Sequence, residues 1–365
     1  MHLIRADQSS TRTVAAPAPD DPLPIDDPEL LFSNLSHATG ILAAVSGGPD
    51  SVAMMHLLAR WGSERRPPVL IATVDHGLRP AAAEEAAFVG REAAGLGFPH
   101  RTLVWTGEKP RTGLQEEARE ARYRLLVRQA REAGASHLVT AHTLDDQAET
   151  ILMRLAGGSG LKGLKGMRRE RDLDGIVHAR PLLDHPKASL LDLCRRNGWR
   201  FVTDPSNADE RFARVRWRKL LPLLAAEGLT ADRLALLARR AGRADEALDA
   251  KARQALEAAD PVAGKGGEGT EEAERTEGTE GTLSFRAACL AEEPFEIGLR
   301  ILELSLSRIG LENSRLQRLE TCLERLRAAI PAGKGLRITI AGALLRLDRT
   351  GRVSLRPEPP RSRGR

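Results

Sequence analysis

The chain has 365 residues, which fits two domains, and 41% of the residues are hydrophobic, 29% charged and 3% aromatic. This composition excludes a collagen-like chain, a disulfide scaffold and a wholly disordered chain. The three cysteines form no CxxC motif, which indicates a reducing compartment and argues against a zinc or iron–sulfur site built from them. Since no stretch approaches the ~20 apolar residues of a membrane span, we expect a cytoplasmic protein with no membrane partner.

The net charge of +5 is distributed unevenly along the chain. Residues 1–30 and 265–282 each carry a net charge of −4, so the rest of the chain sums to +13. A basic body of this kind favours a polyanionic partner, RNA or DNA. Solvated faces of an arginine-rich protein explain the same charge equally well, so charge alone does not decide between the two.

Residues 1–30 are rich in Pro, Ala and Asp and lack periodicity, which predicts a disordered leader. Short apolar runs then alternate with helical stretches. This alternation predicts an α/β domain over 31–225 with a doubly wound parallel sheet, because helices connect parallel strands and cover both faces. The predicted strands are 41–45, 68–74, 101–105, 136–141 and 176–180, and the predicted helices include 81–95, 114–133, 144–155 and 187–197.

Strand signals stop beyond Pro222, and residues 226–357 are predicted to form a smaller, mostly helical C-terminal domain. The segment 262–282 has low complexity with recurring Glu-Gly-Thr, which predicts a flexible acidic insert. Short apolar runs within 337–357 predict a terminal hairpin, and 358–365 form a basic tail.

The loop sequence SGGPDS joins the first predicted strand to a helix. Backbone N–H groups and the helix dipole converge on an anion at such a junction, and glycine lets the backbone approach a phosphate closely. The loop is not a Walker P-loop, and a simple turn with a serine or aspartate cap is the alternative. Asp50 would repel a bare phosphate, which favours an intervening divalent cation. The candidate residues of this loop are Ser46, Gly47, Gly48, Pro49, Asp50 and Ser51.

Two further motifs also follow predicted strands. DHGLR at 75–79 follows the second strand and AHTLDDQAET at 141–150 follows the fourth. Because ligands of open α/β sheets bind outside the carboxyl ends of the strands, we expect all three motifs to share one edge. A turn with solvated polar residues is the alternative for the first of these two motifs.

The acidic motif contains His142, Asp146 and Glu149 at positions i, i+4 and i+7, which share one face if the segment is helical throughout. The alternative is a capping box between Thr143 and Asp146, since acidic residues are favoured in the first turn of a helix.

Two basic segments are candidates for contacts with phosphates. GSGLKG at 158–163 formally matches GxGxxG but follows a helix, so a mobile loop carrying Lys162 and Lys165 is the better interpretation. The strip 211–219 has five cations in nine residues, and three of them share one side if the strip is extended. A solvated basic face is the alternative. The three residues are Arg214, Arg216 and Arg218.

The three strand-end motifs together resemble the PP-loop, or N-type ATP pyrophosphatase, superfamily. With GSGLKGLKGM, RPLL at 180–183, DPSN at 204–207 and the helix that contains LQEEAR, they are similar to the tRNA(Ile)-lysidine synthase family within it. The resemblance covers residues 41–222, and the C-terminal third is similar only loosely, as a helical tRNA-binding region. Two departures stand out: Thr143 replaces a usual second histidine, and 211–218 lacks a usual asparagine.

The resemblance implies a ligase that acts in two steps. ATP adenylates the C2 oxygen of the wobble cytidine in the CAU anticodon of tRNA(Ile), and the side-chain amine of free L-lysine then displaces AMP. The resulting lysidine changes decoding from AUG to AUA. ATP and Mg²⁺ are the implied cofactors, and the oligomeric state stays open, with a homodimer as one candidate.

The resemblance also implies roles for the candidate residues. The catalytic candidates are Asp50, His76, Asp145, Asp146 and Glu149, with Asp50 and Asp146 as Mg²⁺ ligands. Besides the 46–51 loop, the candidate ATP-binding residues are Asp75, Arg79 and His142. The candidate tRNA-binding residues are Arg119, Arg122, Lys162, Lys165, Arg214, Arg216 and Arg218. The division of roles among the acidic residues stays open, and a salt-bridged helix face explains Arg119 and Arg122 equally well.

Two other functions compete with the ligase. A PP-loop tRNA thiolase would activate the same kind of base, but such enzymes commonly need catalytic or cluster-binding cysteines. Cys194 is the one cysteine of the α/β region, and its amphipathic surroundings predict a packing role. The other competitor is a non-catalytic, ATP-responsive tRNA-binding module.

Overall fold

The computed structural model describes residues 24–62, 66–77, 81–107, 109–110, 112–203, 211, 213–264, 281–311 and 316–358. These residues belong to two compact units. The first lies within Met1–Gly157 and Gly166–Leu236, and the second within Gly158–Lys165 and Leu237–Arg365. Most of the predicted leader, residues 265–280 of the predicted insert and most of the basic tail lie outside the described residues.

The first unit contains a six-stranded sheet in the order β3-β2-β1-β4-β6-β5. Five strands are parallel and correspond to the five predicted strands, which confirms the α/β fold. The sixth, β5, runs antiparallel to β6 and was not predicted, because Glu170, Arg171 and Asp172 make it a charged and mostly exposed edge. The strands are β1 (Ile41–Ala44), β2 (Val69–Asp75), β3 (His100–Val104), β4 (His137–Thr140), β5 (Glu170–Leu173) and β6 (Ile176–Ala179).

Helices cover both faces of this sheet. Along β1, Ile41 packs in a core with residues of α2, α3 and α7, whereas Leu42 points into a second core with residues of α4. Alternate residues of a strand point to opposite faces, so an apolar run is buried on both sides. The helices of the first unit are α1 (Pro28–Leu31), α2 (Pro49–Arg60), α3 (Ala81–Gly95), α4 (Leu114–Glu132), α5 (Leu144–Ala156), α7 (Lys187–Asn197) and α8 (Ala213–Ala226). The short helix α6 (Leu161–Leu164) follows α5 in the chain and belongs to the second unit.

The strand order places β1 between β2 and β4. The chain therefore leaves β1 in opposite directions along the sheet, and the loops after β1 and β4 lie on either side of this switch point at the carboxyl edge. Such a switch point is where doubly wound folds bind ligands, and it is where the 46–51 loop and the acidic motif stand.

Two segments differ from their predicted conformation. Pro28–Leu31 is already helical at the end of the predicted leader, because Leu31 and Phe32 are buried in the core. The basic strip is helical in α8, so Arg214 and Arg218 are one turn apart and Arg216 lies on another side.

The second unit packs helices against a five-stranded antiparallel sheet in the order β7-β8-β11-β10-β9. The predicted hairpin is present as β10 paired with β11, with Leu345 opposite Leu355. The other three strands were not predicted, and Val262–Gly264 at the start of the predicted insert is one of them. The elements are α9 (Ala231–Ala258), β7 (Val262–Gly264), β8 (Thr282–Arg286), α10 (Ala288–Glu292), α11 (Phe295–Arg308), α12 (Leu316–Ala329), β9 (Leu336–Ile340), β10 (Ala343–Leu347) and β11 (Arg352–Pro357).

The division between the units falls within α9, whereas the predicted boundary after residue 225 falls at the end of α8. None of the helices in the described ranges has both the length and the apolar character to cross a bilayer.

Candidate active site

The 46–51 loop has a backbone that depends on glycine. Gly47 has a φ of +90°, a conformation that residues with a side chain rarely adopt. A Cβ at this position would also lie 3.4 Å from methyl carbons of Val89 and Val202. Pro49 opens α2, where its missing N–H leaves no hydrogen bond unmade. The loop therefore holds the free N–H groups of the first turn of α2 at the carboxyl edge of β1.

The two serines of the loop hold it closed. Ser51 Oγ donates to the carbonyl of Gly48 at 3.0 Å and accepts from the backbone N–H of Ser46 at 3.2 Å. The hydroxyls of Ser46 and Ser51 are 3.3 Å apart. These bonds orient the loop before any ligand binds, which is consistent with a preformed anion site.

Asp50, in the first turn of α2, forms an ion pair with Lys187, the first residue of α7. Lys187 Nζ lies 2.9 Å from Asp50 Oδ2, while Asp50 Oδ1 is buried without a hydrogen-bond partner. Burial raises the pKa of Asp50. The charge of Lys187 opposes this rise, and the carboxylates of Asp146 and Asp145 add to it. Burial lowers the pKa of Lys187, but the carboxylates of Asp50 and Asp146 outweigh burial and raise it above its ordinary value. The Lys187 ammonium is therefore charged at neutral pH.

Lys187 was not predicted as a site residue. A signal for it does exist in the sequence, because a cation in the first turn of a predicted helix opposes the helix dipole. Such a local conflict often marks a functional position.

The acidic motif begins with the capping box that was the alternative interpretation. Asp146 Oδ2 accepts from the backbone N–H of Thr143 at 2.9 Å and from its hydroxyl at 3.0 Å, and Thr143 Oγ1 accepts from the Asp146 N–H at 3.3 Å. Burial raises the pKa of Asp146, but Lys187, these Thr143 bonds and His142 together hold it below its ordinary value. The capping bonds engage Oδ2, so capping and ligand binding by Asp146 are compatible.

Asp145 binds the start of a different helix. Its Oδ2 accepts from the backbone N–H of Lys187 at 2.7 Å. A carboxylate at this position satisfies an N–H that lacks a partner within α7. Asp145 thus fixes the backbone of Lys187, which places its amine beside Asp50.

Glu149 is fully buried on α5 and is paired with Arg218 of α8. Arg218 Nε donates to Glu149 Oε1 at 2.8 Å, and Glu149 Oε2 is buried without a partner. Burial raises the pKa of Glu149, Arg218 opposes that rise, and Asp146 adds to it. A buried carboxylate with a raised pKa and a free oxygen is suited to accept a proton.

His142 lies before α5, which begins at Leu144, so it does not share a helical face with Asp146 and Glu149 as predicted. Its Nδ1 is 2.7 Å from Thr140 Oγ1 at the end of β4. Burial lowers its pKa to about 3, and the positive charges of Arg122, Arg180 and Arg119 contribute. The imidazole is therefore neutral.

The second motif lies at the end of β2, and the contacts of its described residues are with neighbours other than the 46–51 loop. Asp75 Oδ1 accepts from the N–H of Gly77 at 2.7 Å and closes a turn. His76 packs edge-on to Trp105 at 6.0 Å, and burial, with help from Arg122, lowers its pKa. Arg79 and the DPSN segment lie outside the described residues.

The candidate arginines of α4 gather around Tyr123. The guanidinium carbons of Arg119, Arg122 and Arg171 lie 5.3, 5.9 and 5.6 Å from the centre of its ring. Glu117 and Glu120 pair with Arg124 instead, so the salt-bridge alternative is not observed for Arg119 or Arg122 in the described part of the chain. An open cavity of about 420 Å³ runs beside this ring, lined by Glu116, Arg119, Glu120, Tyr123, Arg124, Val127, Arg171, Leu173 and Asp174.

The candidate lysines of the 158–165 loop are paired within the second unit. Lys165 binds the buried carboxylate of Asp245, and Lys162 Nζ is 3.2 Å from Glu303 Oε2. Part of the predicted mobile loop is the short helix α6. A role of these lysines in binding tRNA stays a prediction.

Cys194 has the packing role that was predicted. Its side chain is buried in the core and its Sγ donates to the carbonyl of Pro49 at 3.4 Å. Burial and the nearby Asp50 raise the pKa of this thiol to about 11. A protonated, enclosed thiol is a poor nucleophile, which disfavours thiolase chemistry.

Residues 27–224 match the family described as the PP-loop domain. With the doubly wound sheet and the glycine-rich loop after β1, this match defines the protein as an ATP-binding PP-loop enzyme, as the resemblance implied.

Relatives over nearly the whole chain specify the family. The chain is 52% identical over 334 residues to the tRNA(Ile)-lysidine synthase of Methylobacterium nodulans, which covers 90% of this chain and 93% of that protein. It is 51% identical to the synthase of a Methylobacterium species (strain 4-46), with 89% and 91% covered, and 46% identical to that of Bradyrhizobium diazoefficiens, with 94% and 97% covered. The chain belongs to the tRNA(Ile)-lysidine synthase family and is a ligase-type, tRNA-modifying enzyme.

Proposed function

We propose that the enzyme joins free L-lysine to C2 of the wobble cytidine in CAU-anticodon tRNA(Ile). The cytidine C2 oxygen attacks the α-phosphorus of ATP, and pyrophosphate leaves. The lysine ε-amine then attacks C2, the bond from C2 to the adenylate oxygen breaks, and AMP leaves. The supporting observation is the Asp50–Lys187 ion pair beside a preformed glycine-rich loop, with the carboxylates of Asp146 and Glu149 nearby on α5.

The first turn of α2 and Lys187 supply the positive partners that the phosphates of ATP need. N–H groups at a helix start bind anions, and the Lys187 ammonium adds a full charge. Asp145 positions this lysine through its backbone. Asp50 holds the ammonium in place from the other side.

The carboxylates present fit a Mg²⁺ ion. Asp50 Oδ1 is a buried oxygen without a partner, and carboxylates with phosphate oxygens are the ligands that Mg²⁺ usually takes in nucleotide sites. Within the described ranges no three His, Cys, Asp or Glu side chains form a metal site by themselves, which agrees with an ion that depends on the nucleotide. Asp50 and Asp146 would hold it, and it would neutralise phosphate charge.

The lysine substrate must lose a proton before it attacks. With an ordinary pKa near ~10.4, about one lysine amine in ~2,500 is neutral at pH 7, so deprotonation costs about 4.6 kcal/mol. Glu149 is suited to bind the ammonium and to take its proton, because Oε2 is free and the pKa is raised. Arg218 holds the other oxygen and fixes the direction of the carboxylate.

The arginines around Tyr123 are suited to the nucleic acid. Arg119 and Arg122 have no acidic partner in the described part of the chain and can bind phosphate or the edge of cytosine. Arg214 and Arg216 on α8 are further candidates for contacts with the phosphates of the tRNA.

The experiment is incorporation of radiolabelled lysine into purified tRNA with ATP and Mg²⁺, followed together with AMP release. The substrate is CAU-anticodon isoleucine tRNA, and elongator methionine tRNA is the matched control because it has the same anticodon bases. Label in the isoleucine tRNA alone, matched by AMP, is the expected result. Release of AMP without lysine label would indicate another nucleophile, and tRNA binding without either signal would indicate a non-catalytic module.

A further inference from the structure

A chain of hydrogen bonds runs from a buried arginine to His142. Arg180 Nη2 lies 3.0 Å from His178 Nδ1, His178 Nε2 lies 2.9 Å from Thr140 Oγ1, and Thr140 Oγ1 lies 2.7 Å from His142 Nδ1. Arg171 Nε approaches the same His178 Nδ1 at 3.4 Å. Arg180, His178 and Thr140 were not among the predicted site residues.

The donor and acceptor of each of these hydrogen bonds follow from the chemistry of Arg180. A guanidinium has only donors, so the His178 Nδ1 that faces Arg180 and Arg171 must accept. Arg180 is 3% exposed, and although burial lowers its pKa to about 10, it stays protonated at neutral pH. His178 is fully buried, and burial with the charge of Arg180 lowers its pKa to about 2, so the ring is neutral.

A neutral imidazole that accepts at Nδ1 carries its proton on Nε2. His178 Nε2 therefore donates to Thr140 Oγ1. The hydroxyl of Thr140 has a single proton, and its other neighbour in the chain is His142 Nδ1, to which it donates. His142 Nδ1 is thus an acceptor, and its own proton stands on Nε2.

We propose that Arg180, His178 and Thr140 are positioning residues that lock His142 as an Nε2–H donor toward a phosphate oxygen of the bound nucleotide. His142 is partly exposed, and no partner for its Nε2 is found among the described residues. Three arginines, Arg119, Arg122 and Arg180, place positive charge around it against the single nearby carboxylate of Asp146, which favours an anionic oxygen as the acceptor. This inference rests on the proposed function for the identity of the ligand but not for the hydrogen-bond chain.

The fixed tautomer of His142 limits what this residue can do in the reaction. With Nδ1 bonded to Thr140 and Nε2 protonated, His142 has no free lone pair. It cannot take the proton of the lysine substrate, so that task is left to a carboxylate such as Glu149.

The first test reads the ring tautomers directly. The ¹⁵N shifts and two-bond couplings of the full-length protein, labelled at histidine and assigned with His142→Gln and His178→Gln, distinguish the two neutral forms. We expect Nε2–H for both rings. A proton on Nδ1 of either ring would overturn the proposal.

The second test removes the central hydroxyl of this series of hydrogen bonds. Thr140→Val should release His142 into a mixture of tautomers and leave His178 fixed, because Arg180 and Arg171 still donate to it. Thr73→Val is the matched control, since Thr73 Oγ1 also bonds a histidine of a neighbouring strand, His100, at 2.9 Å. The control should alter His100 alone. An unchanged His142 tautomer in folded Thr140→Val would refute the lock.

The third test measures whether His142 donates a hydrogen bond to the bound nucleotide. The protein alone is titrated with an ATP analogue that cannot be cleaved between the α- and β-phosphates. His142→Gln places an amide near the Nε2 position and should bind within about threefold of the parent, whereas His142→Asn, which lacks that reach, should bind about tenfold more weakly. Equal affinities of the two variants would refute the donor role. If the parent protein does not bind the analogue, the proposed function is refuted. The tautomer assignment is tested independently by the NMR experiment.

Discussion

Lys187 Nζ and Asp50 Oδ2 are 2.9 Å apart, and this ion pair joins the first turns of α7 and α2. The two helices begin at the carboxyl edge of the same sheet, so one contact ties the glycine-rich loop to the helix that follows β6. Because Asp145 binds the backbone of Lys187 and Asp146 adds negative charge nearby, the pair also connects the loop to the acidic motif of α5.

Asp50→Asn should abolish pyrophosphate release with little change in melting temperature. The substitution keeps the shape of the side chain but removes the charge that faces Lys187 and the proposed metal ion. We expect a loss of at least about a hundredfold in rate. Asp192→Asn is the control, because Asp192 is 64% exposed in a surface pair. A variant that is inactive because it has unfolded would show a lost melting transition, and a folded variant with full rate would contradict the assignment.

Lys187→Ala should weaken binding of ATP by about tenfold or more, since a charged hydrogen bond to phosphate is lost. Isothermal titration with ATP, without tRNA or lysine, measures this directly. Lys251→Ala serves as the control because Lys251 pairs with Glu293 in the second unit. Unchanged ATP affinity in Lys187→Ala would remove this residue from the site.

The rate of the lysine-transfer step should fall at acidic pH, as Glu149 becomes protonated, and so show an acid limb. Burial raises its pKa, so the proton-accepting carboxylate is lost as the pH falls through that raised value, at a higher pH than for an exposed glutamate. Rates of lysine transfer measured on preformed adenylated tRNA across the acidic range should show this limb. Glu149→Gln should be slow at every pH and lack the limb, and persistence of the limb in that variant would assign it to another group.

Thr143→Ala should cost about 1 kcal/mol of the free energy of unfolding, because the side-chain cap of α5 is lost. Thr143→Ser should retain most of that stability, since it keeps the hydroxyl. Urea denaturation monitored by circular dichroism measures both. The control is Thr321→Ala, whose hydroxyl bonds a carbonyl within an exposed stretch of α12. Equal stability of Thr143→Ala and the parent would show that the cap contributes nothing.

Cys194→Ser should keep turnover at the level of the parent enzyme under reducing conditions. The thiol is protonated and enclosed, with a pKa of about 11, so it supplies packing and no chemistry. Lysine incorporation and AMP release are the measurements. A folded Cys194→Ser that has lost turnover would favour sulfur transfer over ligation.

Local pattern was sufficient for much of the first unit. The parallel strands are apolar runs that both sheet faces bury, and α3 and α7 have the bounds that were predicted. The edge strands β5 and β7 escaped prediction because they carry charged or small residues, and their pairing depends on a neighbouring strand. The basic strip, whose three arginines would share one side if it were extended, is helical in α8, and its charges carry no periodicity strong enough to decide between the two conformations.

The sequence by itself determined the order of the parallel strands and the helices between them, the glycine-rich loop and the acidic motif, because apolar periodicity and turn chemistry act over a few neighbouring residues. The tertiary structure alone decided which side chains meet: Asp50 with Lys187, Glu149 with Arg218, and Arg180 with His142 through His178 and Thr140. These partners are far apart in the chain or on neighbouring strands, so they meet only after the sheet has formed. Burial in that folded environment then sets the pKa of each carboxyl and imidazole.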